Sequence, residues 1–158
     1  MKPGLAAALA LVACSAAAGL SQVPGACELQ LRDARSGREL QRLPLDPRAP
    51  EIRIAFEHSV LGTTVIDRYR FTPTPVLVEE EFEGEGYGLP AAPGPGERLE
   101  RLGPRQRLSL HRPVDPLVVR ALAAQRMRLL LPTGELLLAS LGAPSVAVEA
   151  LACAGPAP

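Results

Sequence analysis

Three residues able to bind a metal or a polar ligand, His58, Asp67 and Glu80, lie in three consecutive stretches with strand patterning. In each stretch large apolar residues alternate with small or polar ones, which is the period-two pattern of a half-buried strand. Each of the three is the one polar member of an otherwise apolar face. An imidazole beside two carboxylates could bind a divalent metal, or a cationic or hydrogen-bonding ligand.

Hairpin counting predicts that these residues meet. A four-residue loop at 61–64 sets His58 opposite Asp67, and a loop at 72–75 sets Asp67 opposite Glu80. Three antiparallel strands would then carry one polar row across an apolar surface. A one-residue slip at the second loop would instead bring Glu79 or Glu81 onto that face, because side chains alternate along a strand.

A purely structural interpretation of the row competes with ligand binding. Asp67 could accept the ring N–H of His58 inside the core, which would make the pair a satisfied polar contact. A nucleophilic role for Ser59 fails, because adjacent strand residues point to opposite faces and His58 cannot activate its neighbour. The sequence has no nucleophile-elbow or zinc-protease motif, so we assign no catalytic residue, no metal ligand and no cofactor.

The glycine-rich segment at 84–88 lacks the spacing of a dinucleotide-binding fingerprint. It predicts a tight turn that needs positive φ, with Tyr87 at the rim, and a ligand lid is the alternative interpretation. The neighbouring charged residues are interpreted as solvated faces. They are Glu79, Glu80, Glu81, Glu83 and Glu85, and later Arg98, Arg101, Arg105 and Arg107.

Composition predicts an all-β protein with a single domain. The chain has 158 residues, with 17 prolines, 14 glycines and no Trp, which favours many short strands joined by turns. We predict an antiparallel β-sandwich or open barrel of about eight or nine strands. Acidic and basic residues balance at 17 each, so there is no electrostatic case for a nucleic acid or an anionic membrane as partner.

The N-terminus has the pattern of a secretion leader, with Lys2 before an apolar run at 5–13. Residues 11–14 match a bacterial lipobox, which would leave Cys14 as a lipid-carrying first residue. Ordinary cleavage after residues 16–18 would remove Cys14 instead, and both interpretations stay open. We expect an exported, periplasmic protein, held at a membrane only through such an anchor, with a leader and tether at 1–26, a β domain at 27–153 and a tail at 154–158.

The two remaining cysteines form an even pair in an oxidising compartment. Cys27 opens the first predicted strand and Cys153 closes the last. A disulfide between them would join the two ends of the domain, and the alternative is two buried free thiols.

Short motifs in the central stretch are similar to those of an uncharacterised bacterial family, domain of unknown function 1850. The chain resembles it in a His-Ser-Val start, an acid and an aromatic residue two apart on the next strand, and a Gly-x-Gly-Leu-Pro turn. Asp67 stands where that family more often has Glu, and Tyr87 where it more often has Ala. The residues that carry the resemblance are His58, Ser59, Val60, Thr63, Val65, Asp67, Tyr69, Glu79 to Phe82 and Gly86 to Pro90.

The resemblance implies small exported proteins that are often encoded beside tripartite ATP-independent periplasmic (TRAP) transporters of the TAXI type. We therefore expect a non-enzymatic accessory protein that binds a small solute or a component of such a transporter. The alternatives are a metal-dependent enzyme built on the His58, Asp67 and Glu80 row, and a structural envelope lipoprotein. The predicted ligand-binding residues are His58, Asp67, Tyr69, Glu79, Glu80 and Tyr87.

Overall fold

The computed structural model describes residues 26–153. Cys14, both cleavage sites and the tail at 154–158 lie outside the described residues. Within 26–153 the chain forms eleven strands and two 3-10 helices, Ala123–Gln125 and Leu138–Leu141, with no α-helix. No helix in this range is long and apolar enough to cross a bilayer. The predicted all-β class is confirmed, with more strands than expected.

The strands follow one another with short connections, except for the loop between β5 and β6. Their bounds are β1 (Glu28–Asp33), β2 (Glu39–Pro44), β3 (Glu51–Glu57), β4 (Thr64–Phe71), β5 (Pro75–Glu83), β6 (Arg98–Leu102), β7 (Arg105–Pro113), β8 (Val118–Arg120), β9 (Arg128–Leu131), β10 (Gly134–Leu137) and β11 (Ser145–Leu151).

The strands form two antiparallel sheets, which confirms the predicted sandwich. The smaller sheet has the order β2-β1-β11-β8, and the larger has the order β10-β9-β3-β4-β5-β7-β6. Their facing sides share one core, in which Leu31, Phe71, Leu108 and Val146 are almost completely buried. The alternating pattern that predicted β4 corresponds to this burial, because every second side chain of a strand points to the same face.

The two ends of the domain are joined. Strand β1 pairs with β11 from Glu28 opposite Leu151 to Asp33 opposite Val146. Just outside this pairing Cys27 and Cys153 form the predicted disulfide, with their Cα atoms 4.4 Å apart.

The segment at 116–125 contains both a strand and a short helix. Strand β8 is followed directly by the 3-10 helix Ala123–Gln125. The valines at 118 and 119 lie in the strand, and the alanines at 123 and 124 lie in the helix. The β-branched residues thus lie in the strand, and the alanines, which have high helix propensity, lie in the helix.

Candidate functional site

The hairpin between β3 and β4 closes at residues 58–63, and the predicted loop at 61–64 is wrong. Ile54, not His58, is the cross-strand partner of Asp67, and Phe56 lies opposite Val65. His58 stands four residues beyond Ile54, which corresponds to roughly 13 Å along a strand. The predicted pairing of His58 with Asp67 is therefore wrong, and so is the three-residue row.

Hydrogen bonds within the turn explain why it differs from the predicted loop. The amide of His58 donates to the carbonyl of Thr63 at 2.8 Å, and the amide of Gly62 donates to the carbonyl of His58 at 2.8 Å. The imidazole Nδ1 accepts from the amides of Val60 and Leu61, at 3.3 and 3.2 Å. These side-chain and backbone hydrogen bonds stabilise a wider turn than the apolar alternation suggested.

The second predicted pairing is confirmed, since Asp67 lies opposite Glu80. The predicted loop at 72–75 is wrong, because Phe71 pairs with Pro75, and a register shift between Arg68 and Tyr69 brings Asp67 opposite Glu80 all the same. The two carboxylates are central in a cross-strand row on the inner face of the larger sheet. Their immediate neighbours in this row, Ile54 and Leu108, are almost completely buried. In order from β6 to β10 the row consists of Leu99, Leu108, Glu80, Asp67, Ile54, Leu129 and Leu136.

Asp67 has an unusual environment for a carboxylate. The hydroxyl of Tyr69, two residues along on the same face, donates to Asp67 Oδ2 at 3.2 Å. The other oxygen, Oδ1, is buried with no hydrogen-bond partner among the described residues. Burial raises the pKa of Asp67 to about 7; the nearby charge of Glu80 adds to the rise, and the Tyr69 hydroxyl and Arg112 oppose it.

The same environment acts on the neighbours of Asp67. Burial raises the pKa of Glu80, against the opposing charge of Arg112. Burial and then the charge of Asp67 raise the pKa of Tyr69 above its ordinary value. We call Asp67, Tyr69 and Glu80 the acidic cluster.

Arg112 and Glu97 lie at the exposed side of the acidic cluster, and the sequence interpretation missed both. Arg112 Nη2 lies 3.3 Å from Glu97 Oε1, and the amide of Gly94 donates to Glu97 Oε2 at 2.9 Å. Arg112 follows Leu108 and Leu110 at every second position of β7, so the alternation contained a signal for its face. Glu97 belongs to a loop, and no sequence pattern indicated its position.

Glu79 lies on the opposite face of the larger sheet from Glu80. Arg68 Nη2 lies 3.0 Å from Glu79 Oε2, and Arg107 Nε lies 3.6 Å from the same oxygen. Five of the charged residues predicted as solvated faces, Glu79, Glu81, Glu83, Arg105 and Arg107, form ion pairs across the outer face. The prediction is wrong for Glu80, which lies on the inner face. The continuous ladder consists of Glu51, Arg68, Glu79, Arg107, Glu81, Arg105 and Glu83.

His58 joins two loops at one end of the larger sheet. Its Nε2 donates to the carbonyl of Tyr87 at 3.1 Å, since a carbonyl can only accept. Nearby, the hydroxyl of Thr63 donates to the carbonyl of Glu83 at 3.2 Å. We call the two joined segments, 58–63 and 84–88, the tip.

The tip has a constrained backbone and exposes two large side chains. Tyr87 has φ +53° and is 70% exposed, and Val60 is 62% exposed. Gly84 has φ +93°, and a Cβ there would lie 3.2 Å from Leu61 Cδ1. The predicted positive-φ turn with Tyr87 at its rim is confirmed.

The alternative of a metal-dependent enzyme required His58, Asp67 and Glu80 to lie in one row, and His58 does not lie in that row. Both ring nitrogens of His58 bind backbone groups of the tip, and the acidic cluster retains two carboxylates. Among residues 26–153 no group of three or more His, Cys, Asp or Glu side chains is placed to hold a metal ion.

The model of the family described as "Domain of unknown function (DUF1850)" matches residues 52–137, which is more than half of the chain. The chain belongs to this family. Comparisons with curated proteins and with solved structures found no match. The DUF1850 segment contains the acidic cluster and the tip, together with nearly all of the larger sheet and β8. Strands β1, β2 and β11, which make up most of the smaller sheet, lie outside it.

Proposed function

We propose that this protein is an exported, non-enzymatic accessory protein that binds a partner protein through its tip. The resemblance described above associates DUF1850 proteins with TAXI-type TRAP transporters, so a component of such a transporter is the first candidate partner. The observation that carries the proposal is the hydrogen bonding of His58 to both loops of the tip, which holds Val60 and Tyr87 exposed at one end of the molecule.

The energetics of association favour such a surface. A loop that is already ordered loses less conformational entropy on binding, so more of the contact energy appears as affinity. Tyrosine is also enriched among the residues that dominate interface energies, because its large ring loses few rotamers when it is buried. Val60 and Tyr87 are the two most exposed large apolar residues among the described residues.

The non-enzymatic part of the proposal rests on how His58 is used. Its Nδ1 accepts from two backbone amides and its Nε2 donates to a carbonyl. With both nitrogens engaged in positioning the tip, His58 offers no free nitrogen for proton transfer to a substrate.

A second candidate function is the capture of a small solute at the acidic cluster. The observation that favours it is the buried Asp67 Oδ1, which has no hydrogen-bond partner among the described residues. Such an acceptor is costly to bury alone, so a ligand N–H or O–H group would relieve the cost. Native mass spectrometry of the protein purified from its own host tests this, because a bound solute is released and weighed on denaturation.

The tip is tested by affinity measurements against the purified subunits of a TAXI-type TRAP transporter. We expect Tyr87→Ala and Val60→Ser each to weaken binding at least about tenfold, in the range of interface hot spots. Val118→Ser is the matched control, because Val118 is an exposed valine, 44% accessible, on the smaller sheet.

Wild-type binding that both tip variants retain would contradict the proposed role of the tip. Absence of binding to every subunit, together with a released small molecule in native mass spectrometry, would move the function to the acidic cluster. Thermal melting of each variant shows whether its fold is intact.

A further inference from the structure

A cavity of about 250 Å³ opens between the two sheets, at the far end of β4 from the tip. Its walls come from the β4–β5 hairpin, from the connection between β7 and β8, and from the second half of β11. The apolar part of the lining is formed by Phe71, Pro75, Leu117 and Val148. None of these residues belongs to the acidic cluster or to the tip.

One wall of this cavity is a strand edge that no strand of residues 26–153 covers. The pairing of β8 with β11 ends at Val118 opposite Ala147, although β11 continues to Leu151. The amide of Val148 still donates to the carbonyl of Leu117 at 3.0 Å. The next amide that points to this side is that of Ala150, because backbone groups alternate along a strand.

The chain turns away from β11 before it can cover Ala150. Continuing the same register would place Asp115 opposite Ala150, but the preceding connection turns to the larger sheet, where the amide of Val114 donates to the carbonyl of Pro75 at 2.9 Å. The backbone N–H and C=O of Ala150 therefore face the cavity, beyond the end of β8.

The polar part of the lining is acidic. Asp115 and Glu149 both contribute to the cavity and both are exposed. Glu149 has a distant basic neighbour, since Arg32 Nη1 lies 3.9 Å from its Oε2. A bound segment with a positive charge next to its apolar residue would complement this rim.

We propose that this cavity binds an extended peptide of a partner protein, in which an apolar residue stands next to a lysine or arginine. The peptide continues the line of β8 along β11, exchanges hydrogen bonds with the N–H and C=O of Ala150, and places its apolar side chain against Phe71 and Leu117. Its basic side chain lies beside Asp115 and Glu149. Peptide binding by addition to a sheet edge combines backbone hydrogen bonds for affinity with side-chain pockets for selectivity.

The test uses the protein purified from bacterial cells and a set of capped hexapeptides in which two adjacent variable positions are flanked by serines. One variable position carries valine, leucine or phenylalanine, and the next carries lysine, arginine or glutamate. Binding is measured by calorimetry, and exchange of the Ala150 amide is followed by NMR. We expect basic peptides to bind at least about tenfold more tightly than glutamate peptides, and to protect the Ala150 amide.

Two changes separate edge pairing from simple charge attraction. A peptide N-methylated at the amide that would pair with Ala150 should bind at least about tenfold more weakly, because it has lost a donor. In the protein, Ala150→Pro removes the free-edge donor, and proline is tolerated at edge positions. Asp115→Asn should reduce the preference for basic peptides, since Glu149 remains, and leave the N-methylation effect unchanged.

Several outcomes would overturn the proposal. They are that no peptide of the set binds, that the N-methylated peptide binds as tightly as its parent, or that the Ala150 amide is already protected in the free protein. The last result would mean that a terminal segment of the same chain occupies the cavity. If Ala150→Pro does not fold, the comparison of the two peptides still decides.

Discussion

The hydroxyl of Tyr69 donates to Asp67 Oδ2 at 3.2 Å and leaves Asp67 Oδ1 buried without a partner among the described residues. Tyr69 and Asp67 are two positions apart on β4, so both side chains point into the same face of the larger sheet. One hydrogen bond therefore serves a carboxylate that also faces Glu80 across the strand pair. When Asp67 is ionised, its burial therefore lowers the stability of the folded protein.

The first prediction concerns the dependence of stability on pH. The pKa of Asp67 is raised from 3.8 to about 7 in the folded state. The contribution of Asp67 to the free energy of unfolding is therefore most favourable below about pH 4, and it is lost as the pH rises through about 7. The loss is on the order of 4 kcal/mol. Chemical unfolding from pH 4 to pH 8 measures it, and Glu80 acts in the same direction.

Asp67→Asn is the matched variant for this prediction, because the amide retains the size of the side chain and an oxygen for the Tyr69 hydroxyl. We expect it to be more stable than the wild type at pH 8 and to have a flatter pH profile. A wild-type profile that rises from pH 4 to pH 8, or an unchanged profile in Asp67→Asn, would contradict the environment described for Asp67.

The second prediction concerns Tyr69. Tyr69→Phe keeps the ring and removes the donor to Asp67 Oδ2, so neither oxygen of Asp67 keeps a side-chain donor. The expected cost is about 1 to 3 kcal/mol at pH 8. The cost should shrink at pH 5, where Asp67 is protonated in the folded state. Unfolding curves at the two pH values measure the difference. An equal cost at both would contradict the role of the Tyr69 hydroxyl as donor to ionised Asp67.

The third prediction concerns His58. His58→Ala removes Nδ1, which accepts from the amides of Val60 and Leu61, and Nε2, which donates to the carbonyl of Tyr87. We expect a loss of about 1 to 2 kcal/mol of stability and faster exchange of those two amides, measured by NMR.

The other histidine provides the control for this variant. His111 is exposed on β7, so His111→Ala should leave both exchange rates and stability unchanged. If His58→Ala leaves the exchange of Val60 and Leu61 unchanged, His58 does not hold the tip together.

The fourth prediction concerns the disulfide. Cys27 and Cys153 are 126 positions apart, so their bond restricts a long loop in the unfolded chain. In the chain-entropy model, replacing both cysteines by alanine costs about 4 to 5 kcal/mol. Denaturant unfolding of the double variant measures this cost. A loss below about 1 kcal/mol would mean that the unfolded chain is already restricted without the bond.

Several elements were predictable because local chemistry determines them. The strand character of β3, β4 and β5 depends on side-chain period, and the turn at 84–88 depends on glycines that adopt positive φ. Asp67 was correctly predicted to lie opposite Glu80, but a register shift that no sequence pattern indicated compensates for the wrong loop. The disulfide followed from the position of its cysteines at the two ends of the domain. The second of the two sheets and the order of its strands depend on contacts between distant segments, and no local pattern encodes them.

The position of His58 shows where the sequence interpretation failed. Apolar alternation continued through His58 to Val60, so the strand was extended by three residues beyond its actual end at Glu57. An imidazole that accepts from amides two and three positions later competes with strand pairing, as Ser, Thr, Asn and Asp side chains do. The glycine at 62 was the available signal for the wider turn, since it has φ +67°.

The joined ends of the domain also determine how it would carry a mechanical load. Residue 26 is directly followed by Cys27, which forms the disulfide with Cys153. A pull between the two ends of the domain therefore passes first into this bond and into the pairing of β1 with β11. The larger sheet, with the tip, is outside that line of force. A domain held at both ends would bear tension there while its tip keeps its shape.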